Sequence, residues 1–234
     1  MLIRFPTVMT VMFIASLLIV SACPQAEGEG EGEHGEPLPA DTVIDGKNYG
    51  DWGADWWTRE ISVAVSETWM ADADGDACGD RQSGDVFMLA GSDAADPVTR
   101  ACAIPSGKTI YVPVINYLND YPCPDPGFEP ADGESLEEFL TAGAIEIIDP
   151  VTTATVELDG ESIDAIRAHS SMFTFTGDIS HAATDPCITG EAQQAVTDGY
   201  ALLLTPLAAG EHTMVITASA PDFSQDVTYE LTVQ

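Results

Sequence analysis

The chain has few positively charged side chains. Seven Lys and Arg residues stand against 39 Asp and Glu in a total of 234 residues, which gives a formal net charge of −32 at pH 7. Proteins bind the phosphates of nucleic acids mainly through Lys and Arg, so a surface of this charge repels such polymers. The composition therefore excludes a nucleic acid as the partner of this protein.

The sequence also lacks the short motifs of several enzyme classes. It contains neither the G-x-S-x-G elbow of serine hydrolases nor a G-x-x-x-x-G-K-[ST] phosphate loop. None of its histidines forms an H-x-x-x-H pair, so a zinc or iron centre would have to assemble from distant residues. A hydrolase that uses Asp or Glu stays open, because a glycosidase needs only two carboxylates. The histidines are His34, His169, His181 and His212.

One apolar run stands at the N-terminus. Residues 1–22 contain a single basic residue, Arg4, and an apolar stretch over residues 8–20. This stretch is shorter than the roughly 20 residues that a transmembrane helix needs, and the layout is typical of a secretory signal peptide. The segment VSAC at residues 20–23 resembles the bacterial lipobox, in which cleavage before the cysteine leaves a lipid on Cys23. Residues 1–22 are therefore predicted to be a lipoprotein signal peptide.

The lipid on Cys23 would attach the protein to a membrane of the bacterial cell envelope. Because Pro24 follows the cysteine in place of an aspartate, we expect the outer membrane, with the domain facing the periplasm or the cell surface. Residues 23–44 are rich in Glu and Gly and poor in apolar side chains, so they are predicted to form a disordered acidic tether. Residues 45–234 are then long enough for a single domain with a sizeable core.

Four cysteines follow the lipidation site, namely Cys78, Cys102, Cys123 and Cys187. An even number of cysteines in an exported chain indicates disulfides, and four cysteines allow three pairings. We favour Cys78 with Cys102, which brackets a predicted hairpin, and Cys123 with Cys187, which bridges two predicted loops. A zinc site built from the four is disfavoured because the sequence has no C-x-x-C pair.

A tryptophan-rich segment opens the predicted domain. In residues 48–65, NYGDWGADWWTREISVAV, Trp52 and Trp56 are four positions apart and predict one face of an amphipathic helix that Asp51 caps. An aromatic stripe at helical spacing is typical of core packing, so we expect Trp52 and Trp56 to be buried. Trp57 lies about 100° further round the helix and is the candidate for exposure. The alternative is an exposed aromatic platform for a ligand.

The rest of the chain is dominated by strand patterns. Residues 86–118 predict a hairpin followed by a third strand, and residues 227–233 alternate as a half-buried antiparallel strand does. In GESLEEFLTAG, Ser135 and Glu138 predict a capping box and Gly143 predicts the helix end. Residues 161–168 predict a further helical turn. The expected fold is mainly β, an antiparallel β-sandwich of immunoglobulin-like or jelly-roll-like type with a tryptophan-rich helix and one or two short helices.

One acidic segment matches part of a calcium-binding loop. Asp72, Asp74 and Asp76 follow the 1, 3, 5 spacing in which carboxylates converge on Ca²⁺. Ala77 stands where an EF-hand needs Gly, and Ser83 stands where it needs a bidentate Glu. A calcium site at the three aspartates is therefore weighed against a solvated acidic turn, and no other cofactor is expected.

Several segments together resemble a family of secreted and lipid-anchored bacterial proteins. The family pattern places a tryptophan-rich helix before a Q-S-G-x-V-x-x-L-A-G strand and a V-T-R-x-C-x-x-P-x-G-K strand pair. The resemblance covers most of residues 48–233 and implies an exported domain, but it implies no reaction. The matching segments are YGDWGADWW at 49–57, CGDRQSGDVFMLAG at 78–91, VTRACAIPSGKTIYVPVIN at 98–116 and LAAGEHTMVITASAPDFSQDVTYELTV at 207–233.

Two function classes remain after these exclusions. The first is a noncatalytic, lipid-anchored envelope domain with a binding or structural role, whose partner is an envelope protein or a glycan. The second is an exported hydrolase of surface glycans that uses carboxylates, with or without calcium. Two buried carboxylates facing each other across a deep cleft would favour the enzyme, whereas a shallow groove would favour binding.

Overall fold

A computed structural model describes residues 35–94 and 96–234. The signal peptide and Cys23 lie outside these residues. Within them, no helix has both the length and the apolar character that crossing a bilayer requires. The elements in chain order are α1 (Tyr49–Glu60), β1 (Val86–Met88), β2 (Val98–Ile104), β3 (Thr109–Tyr121), α2 (Leu136–Ile148), β4 (Thr153–Leu158), β5 (Glu161–Asp164), β6 (Ile166–His169), β7 (Phe173–Thr176), β8 (Ala192–Leu204), β9 (Gly210–Ala220) and β10 (Phe223–Val233).

Two five-stranded sheets form a β-sandwich, which confirms the predicted mainly-β class. The first sheet has the order β1-β3-β8-β6, with β7 also paired to β8, and the second has the order β2-β10-β9-β4-β5. Most neighbours are antiparallel, but β1 runs parallel to β3 and β2 runs parallel to β10. The sandwich is therefore mixed at one edge of each sheet.

The hairpin predicted within residues 86–118 is wrong, because β1 and β2 belong to different sheets. The amide of Leu89 donates to Tyr111 O in the first sheet, and the amide of Ser92 donates to Gln225 Oε1 beside the second. The chain between β1 and β2 therefore crosses between the sheets instead of turning back. The Asp, Ala and Pro residues of this segment are as common in hairpin turns as in connections between sheets, so the sequence could not distinguish the two.

The core lies between the sheets, and β10 shows how the sequence builds it. Val227, Tyr229, Leu231 and Val233 are buried, as their alternation predicted. They pack with apolar residues of both sheets, which removes about 1.5–3 kcal/mol of unfavourable hydration for each large side chain. Further members of this cluster are Ile104, Ile110, Val112, Val114, Val156, Leu202, Leu204, Met214 and Ile216.

Helix α1 packs on the outer face of the first sheet. Its N-cap is Asn48, whose side chain accepts a hydrogen bond from the amide of Asp51, while the Asp51 carboxylate accepts one from the amide of Asn48. Asp51 is therefore the third helical residue of a capping box, not the cap that we predicted. The helix also ends at Glu60, before the predicted residue 65, with Ile61 as its C-cap, and the buried Glu60 carboxylate accepts hydrogen bonds from the amides of the returning chain at Trp69 and Met70.

The tryptophans of α1 divide as the helical spacing predicted. Trp52 and Trp56 are 3% and 1% exposed, whereas Trp57 is only half-buried. The indole of Trp56 also donates to Leu89 O at 2.9 Å, which ties the helix to the residue after β1. The two buried tryptophans therefore serve as core residues.

Helix α2 begins with the predicted capping box of Ser135 and Glu138 but runs past Gly143 to Ile148. A Cβ at residue 143 would lie 2.6 Å from Asn119 Nδ2, so glycine is needed there for close approach to β3. The helical turn predicted at residues 161–168 is also wrong. Those residues form β5 and β6, which pair with β4 and β8.

Both disulfides have the pairing that we favoured. Cys78 is linked to Cys102, which joins the loop before β1 to β2, and Cys123 is linked to Cys187, which joins the loops that follow β3 and precede β8. The hairpin that motivated the first pair does not exist. The two bonds instead fix irregular segments to the sandwich.

The predicted tether extends too far into the folded part. Leu38 donates its amide to Leu203 O at 2.7 Å, and Pro37 forms a β-bridge with Leu204. Leu38 and Ile44 pack against the cluster that contains the tryptophans of α1. Residues 35–44 therefore belong to the domain, because these two apolar side chains are partly buried against it.

Candidate binding cleft

A cleft of about 630 Å³ opens beside the N-terminus of α1. Three parts of the chain line it: residues 40–50, the first half of α2, and the end of β6 with the serines that follow. We call it the polar cleft, because most of its lining side chains carry hydrogen-bonding atoms. These side chains belong to Asp41, Asn48, Tyr49, Glu137, Thr141, Arg167, His169, Ser170 and Ser171, with Val43 as an exposed apolar member.

The α1 side of the polar cleft is held in place by Tyr49 and Gly50. The Tyr49 hydroxyl donates to Leu38 O at 2.6 Å and accepts from the amide of Leu203 at 3.2 Å. Burial raises the pKa of Tyr49, so the hydroxyl keeps its proton and its role as a donor. A Cβ at Gly50 would lie 2.0 Å from His169 O, so only glycine allows α1 to approach β6 this closely.

Arg167 holds the other side together. Its guanidinium donates to Asp198 Oδ2 at 2.6 Å and to Asp149 Oδ1 at 2.8 Å, which connects the end of α2 to β6 and β8. The hydrogen bond to Asp198, together with the one to Asp149, raises the pKa of Arg167 further. Because Asp198 is buried and Asp149 is exposed, removal of Arg167 would leave an uncompensated buried charge at Asp198, whereas loss of the surface contact to Asp149 would cost little.

Several other polar groups of the polar cleft are exposed to solvent, whereas Ser170 is buried and its Oγ accepts a hydrogen bond from the amide of Thr197 at 3.0 Å. His169 and Ser171 are exposed, and Glu137 is exposed while its Oε1 accepts a hydrogen bond from the amide of Met172 at 3.1 Å. The arrangement therefore offers hydroxyl, imidazole, amide and carboxylate groups to a polar ligand. Two carboxylates, Asp41 and Glu137, line the same cleft.

A second groove, of about 670 Å³, lies at the edge formed by β5 and residues 35–37. Its charged residues are acidic, and one of them is engaged elsewhere: Asp159 accepts from His212 Nδ1 at 2.7 Å. The opposite ring nitrogen of His212 lies 2.9 Å from Ala208 O. His212 therefore serves to connect two loops, and His181 is likewise engaged, with Nε2 3.0 Å from Val63 O.

The three aspartates of the predicted calcium site lie in a tight turn. Asp72 accepts hydrogen bonds from the amides of Gly75 and Ala77, at 3.1 Å and 3.0 Å, and Asp74 and Asp76 are exposed. Within the part of the chain that the structure describes, no three His, Cys, Asp or Glu side chains are grouped as a metal ion would require. The geometry thus gives the calcium site no support, and it stays a prediction.

Sequence reasoning missed a buried carboxyl group at Asp120. The residue is 3% exposed, and burial, together with the nearby Asp185, raises the pKa of Asp120 to about 7. Gln193 donates to Asp120 Oδ2 at 2.7 Å, and the same amide donates to Pro122 O and Cys187 O beside the second disulfide. No sequence signal separates this aspartate from the many exposed ones. It does not line the polar cleft.

Arg100, of the VTRAC segment, is a second buried charge that was missed. It is 1% exposed, and its guanidinium donates to backbone carbonyls of residues 70, 72, 90 and 91 and to the Tyr229 hydroxyl at 2.9 Å. It therefore fixes the loop before β1 and the crossing after β1 to the second sheet. Gly91, in the crossing after β1, lies close to Gln225 of β10. A Cβ at Gly91 would lie 2.4 Å from Gln225 Oε1.

Comparisons with known proteins add no family. No protein-family model matches the chain, and no curated protein matches it. Similar solved structures include the cysteine protease inhibitor EhICP2 from Entamoeba histolytica, with 10% identity, a TM-score of 0.23, and coverage of 65% of this chain and 100% of that one. PbICP-C, solved in complex with falcipain-2, has 11% identity, a TM-score of 0.23 and coverage of 64% and 100%. Amebosin has 12% identity, a TM-score of 0.18 and coverage of 59% and 96%. At TM-scores this low, the similarities carry no argument about this chain.

Proposed function

We propose that the protein is a noncatalytic, lipid-anchored domain of the bacterial cell envelope that binds a polar ligand in the polar cleft. The observation that carries this proposal is a ligand-sized cleft whose walls are held by Tyr49 and Arg167 while His169, Ser171 and Thr141 remain available on its surface. A cleft held open before binding loses little conformational entropy when a ligand enters. The many hydroxyl, imidazole and carboxylate groups suit an envelope glycan, and a polar segment of an envelope protein is the alternative occupant.

The cellular location in this proposal comes from the N-terminal sequence. VSAC at residues 20–23 supports lipidation of Cys23, and the acidic segment after it would hold the domain away from an anionic lipid surface. Pro24 supports the outer membrane. We also propose that the chain belongs to the lipid-anchored family whose motifs it resembles. Two motif residues, Gly91 and Arg100, support this proposal because both contribute to contacts within the fold.

A matched pair of serine variants tests the proposed site. Ser171→Tyr fills the polar cleft, and Ser162→Tyr adds the same side chain to the acidic groove at β5. Both serines are exposed, so both variants should keep the melting temperature of the wild type. Purified mature protein in detergent is applied to an array of envelope glycans and crosslinked to envelope proteins. We expect Ser171→Tyr alone to weaken binding about tenfold or more. Equal binding by both variants would place the site elsewhere.

An exported glycan hydrolase is the second candidate, and it rests on the presence of Asp41 and Glu137 in one cleft. A general acid in a glycosidase needs a raised pKa, which burial normally provides, whereas both of these residues are exposed. A panel of envelope glycans incubated with wild type and Glu137→Gln separates the candidates. Product formation by the wild type that is lost in the variant would replace the binding proposal with the hydrolase.

A further inference from the structure

A small internal cavity lies beneath α1, between the helix and the first sheet. Its volume is about 10 Å³, and it shares Tyr49 and Gly50 with the floor of the polar cleft. Two polar side chains of the first sheet line it, Asn116 on β3 and Thr197 on β8. Tyr111 also lines the cavity, opposite Gly53 of α1. A Cβ placed on Gly53 would lie 3.3 Å from the Tyr111 hydroxyl oxygen.

Two polar atoms in this cavity keep hydrogen-bonding capacity that no described residue uses. Thr197 Oγ1, on a residue that is 2% exposed, has no partner among the described residues, and Asn116 Nδ2, which faces the Tyr111 hydroxyl, has a second N–H to donate; both atoms are shielded from solvent. A buried polar group without a partner costs roughly 1–3 kcal/mol, and folded proteins rarely leave one in that state. Two atoms with unused hydrogen-bonding capacity in one cavity indicate that they share a partner.

The backbone around the cavity makes room for that partner. The pairing of β3 with β8 shifts register between Pro113 and Ile115, just before Asn116. Opposite Asn116 stands Gly199, where a Cβ would lie 2.4 Å from the Cβ of Asn116. On the helix side, a Cβ at Gly53 would lie 3.2 Å from Thr197 Cγ2. Because Gly199 and Gly53 have no side chains, β8 can approach β3 and α1 can approach the sheet closely. The cavity between these elements is therefore small.

We propose that this cavity is a binding site for one water molecule. A water needs about 10–15 Å³ of such space and two to four polar partners, and the cavity offers Asn116 Nδ2, Thr197 Oγ1 and Tyr111 Oη. The ligand must accept a hydrogen bond from Asn116 Nδ2, which excludes an ammonium ion, and the volume excludes phosphate or acetate. Burial raises the pKa of Tyr111, so its hydroxyl stays neutral and can donate to the water.

The bound water would join β3 to β8 directly below Gly50. By holding these strands together, the water would fix the floor of the polar cleft. This role in ligand binding rests on the proposed function. The water site itself stands on the cavity geometry alone. It would persist if the polar cleft proved to bind nothing.

Thr197→Val tests the site because the two side chains have the same shape. With a bound water, the variant removes one of that water's partners, the water is no longer held, and the melting temperature falls by about 2–6 °C. In a dry cavity the variant removes an unsatisfied hydroxyl, and the melting temperature rises. Thr197→Ser keeps the hydroxyl and should retain the water, so it shows that the position tolerates substitution.

The water can be counted directly by magnetic relaxation dispersion of ¹⁷O water. We expect the wild type, Thr197→Ser and the control Thr68→Val to share one long-lived water that Thr197→Val lacks. Thr68 is a suitable control because it is equally buried, but its hydroxyl already donates to Val65 O at 3.1 Å. Identical dispersion in all four proteins, or a higher melting temperature of Thr197→Val, would overturn the proposal.

Discussion

The buried carboxyl of Asp120 should make the protein less stable as the pH rises from about 4 to about 7. Asp120 is 3% exposed at the end of β3, where Gln193 is its hydrogen-bond donor. Burial comes first and Asp185 second among the causes that raise its pKa from the ordinary 3.8 to about 7. The substitution Asp120→Asn removes the titration and keeps a carbonyl oxygen that can accept from Gln193.

The sign and size of the effect follow from linkage. Asp120 binds a proton more tightly in the folded protein than in the unfolded chain, so stability is greatest below the unfolded pKa of about 3.9. It falls as the pH rises toward about 7 and is constant above that value. A difference of about three pKa units corresponds to an upper limit of about 4 kcal/mol, and we expect about 2–4 kcal/mol.

Urea unfolding followed by circular dichroism, from pH 4.5 to pH 8.5, measures this effect. Asp120→Asn should have a flatter profile than the wild type and exceed its stability at pH 8. The exposed Asp132→Asn removes the same formal charge and controls for the general repulsion in a chain of net charge −32. If the profiles of wild type and Asp120→Asn run parallel while Asp132→Asn behaves the same way, the reasoning about burial is refuted.

Two further predictions concern the core and the histidine between the loops. Trp56→Ala should cost about 3–5 kcal/mol in urea unfolding, because it leaves a cavity and deprives Leu89 O of its donor, whereas the half-buried Trp57→Ala should cost less. A cost below about 1 kcal/mol for Trp56→Ala would contradict its core role. Burial lowers the pKa of His212, but Asp159 and Ala208 O outweigh it and raise the pKa overall. The contribution of His212 to stability should therefore be present below about pH 6.5 and be lost as the pH rises through the raised pKa. His212→Gln should abolish that loss in thermal melts, and an unchanged pH profile would count against the ion pair.

Local patterns in the sequence predicted local structure well. The alternation in β10 identified its buried face, the spacing of Trp52 and Trp56 identified the core side of α1, and Ser135 with Glu138 marked the start of α2. Each of these signals depends on residues within one element. The disulfide pairing was also found, although for the first bond the hairpin argument behind it was wrong.

Features that depend on distant contacts were not predicted. The sheet to which β1 and β2 belong depends on partners more than 20 residues away. Gly143 lies inside α2, not at its end, at the point where Asn119 approaches from β3. The polar cleft and Asp120 arise from packing between separate elements, so no short motif marks them. The calcium site at Asp72, Asp74 and Asp76 stays a prediction; in the structure the Asp72 carboxylate accepts hydrogen bonds from the amides of Gly75 and Ala77.

The proposed envelope function is tested most directly by asking whether Cys23 carries lipid. Cells expressing the full chain are grown with an alkyne fatty acid, and the protein is isolated and probed for the label. We expect label on the wild type and none on Cys23→Ser, which should remain an uncleaved or misrouted precursor. Equal labelling of the two proteins, or no label on the wild type, would contradict the lipid anchor on which the proposed envelope function rests.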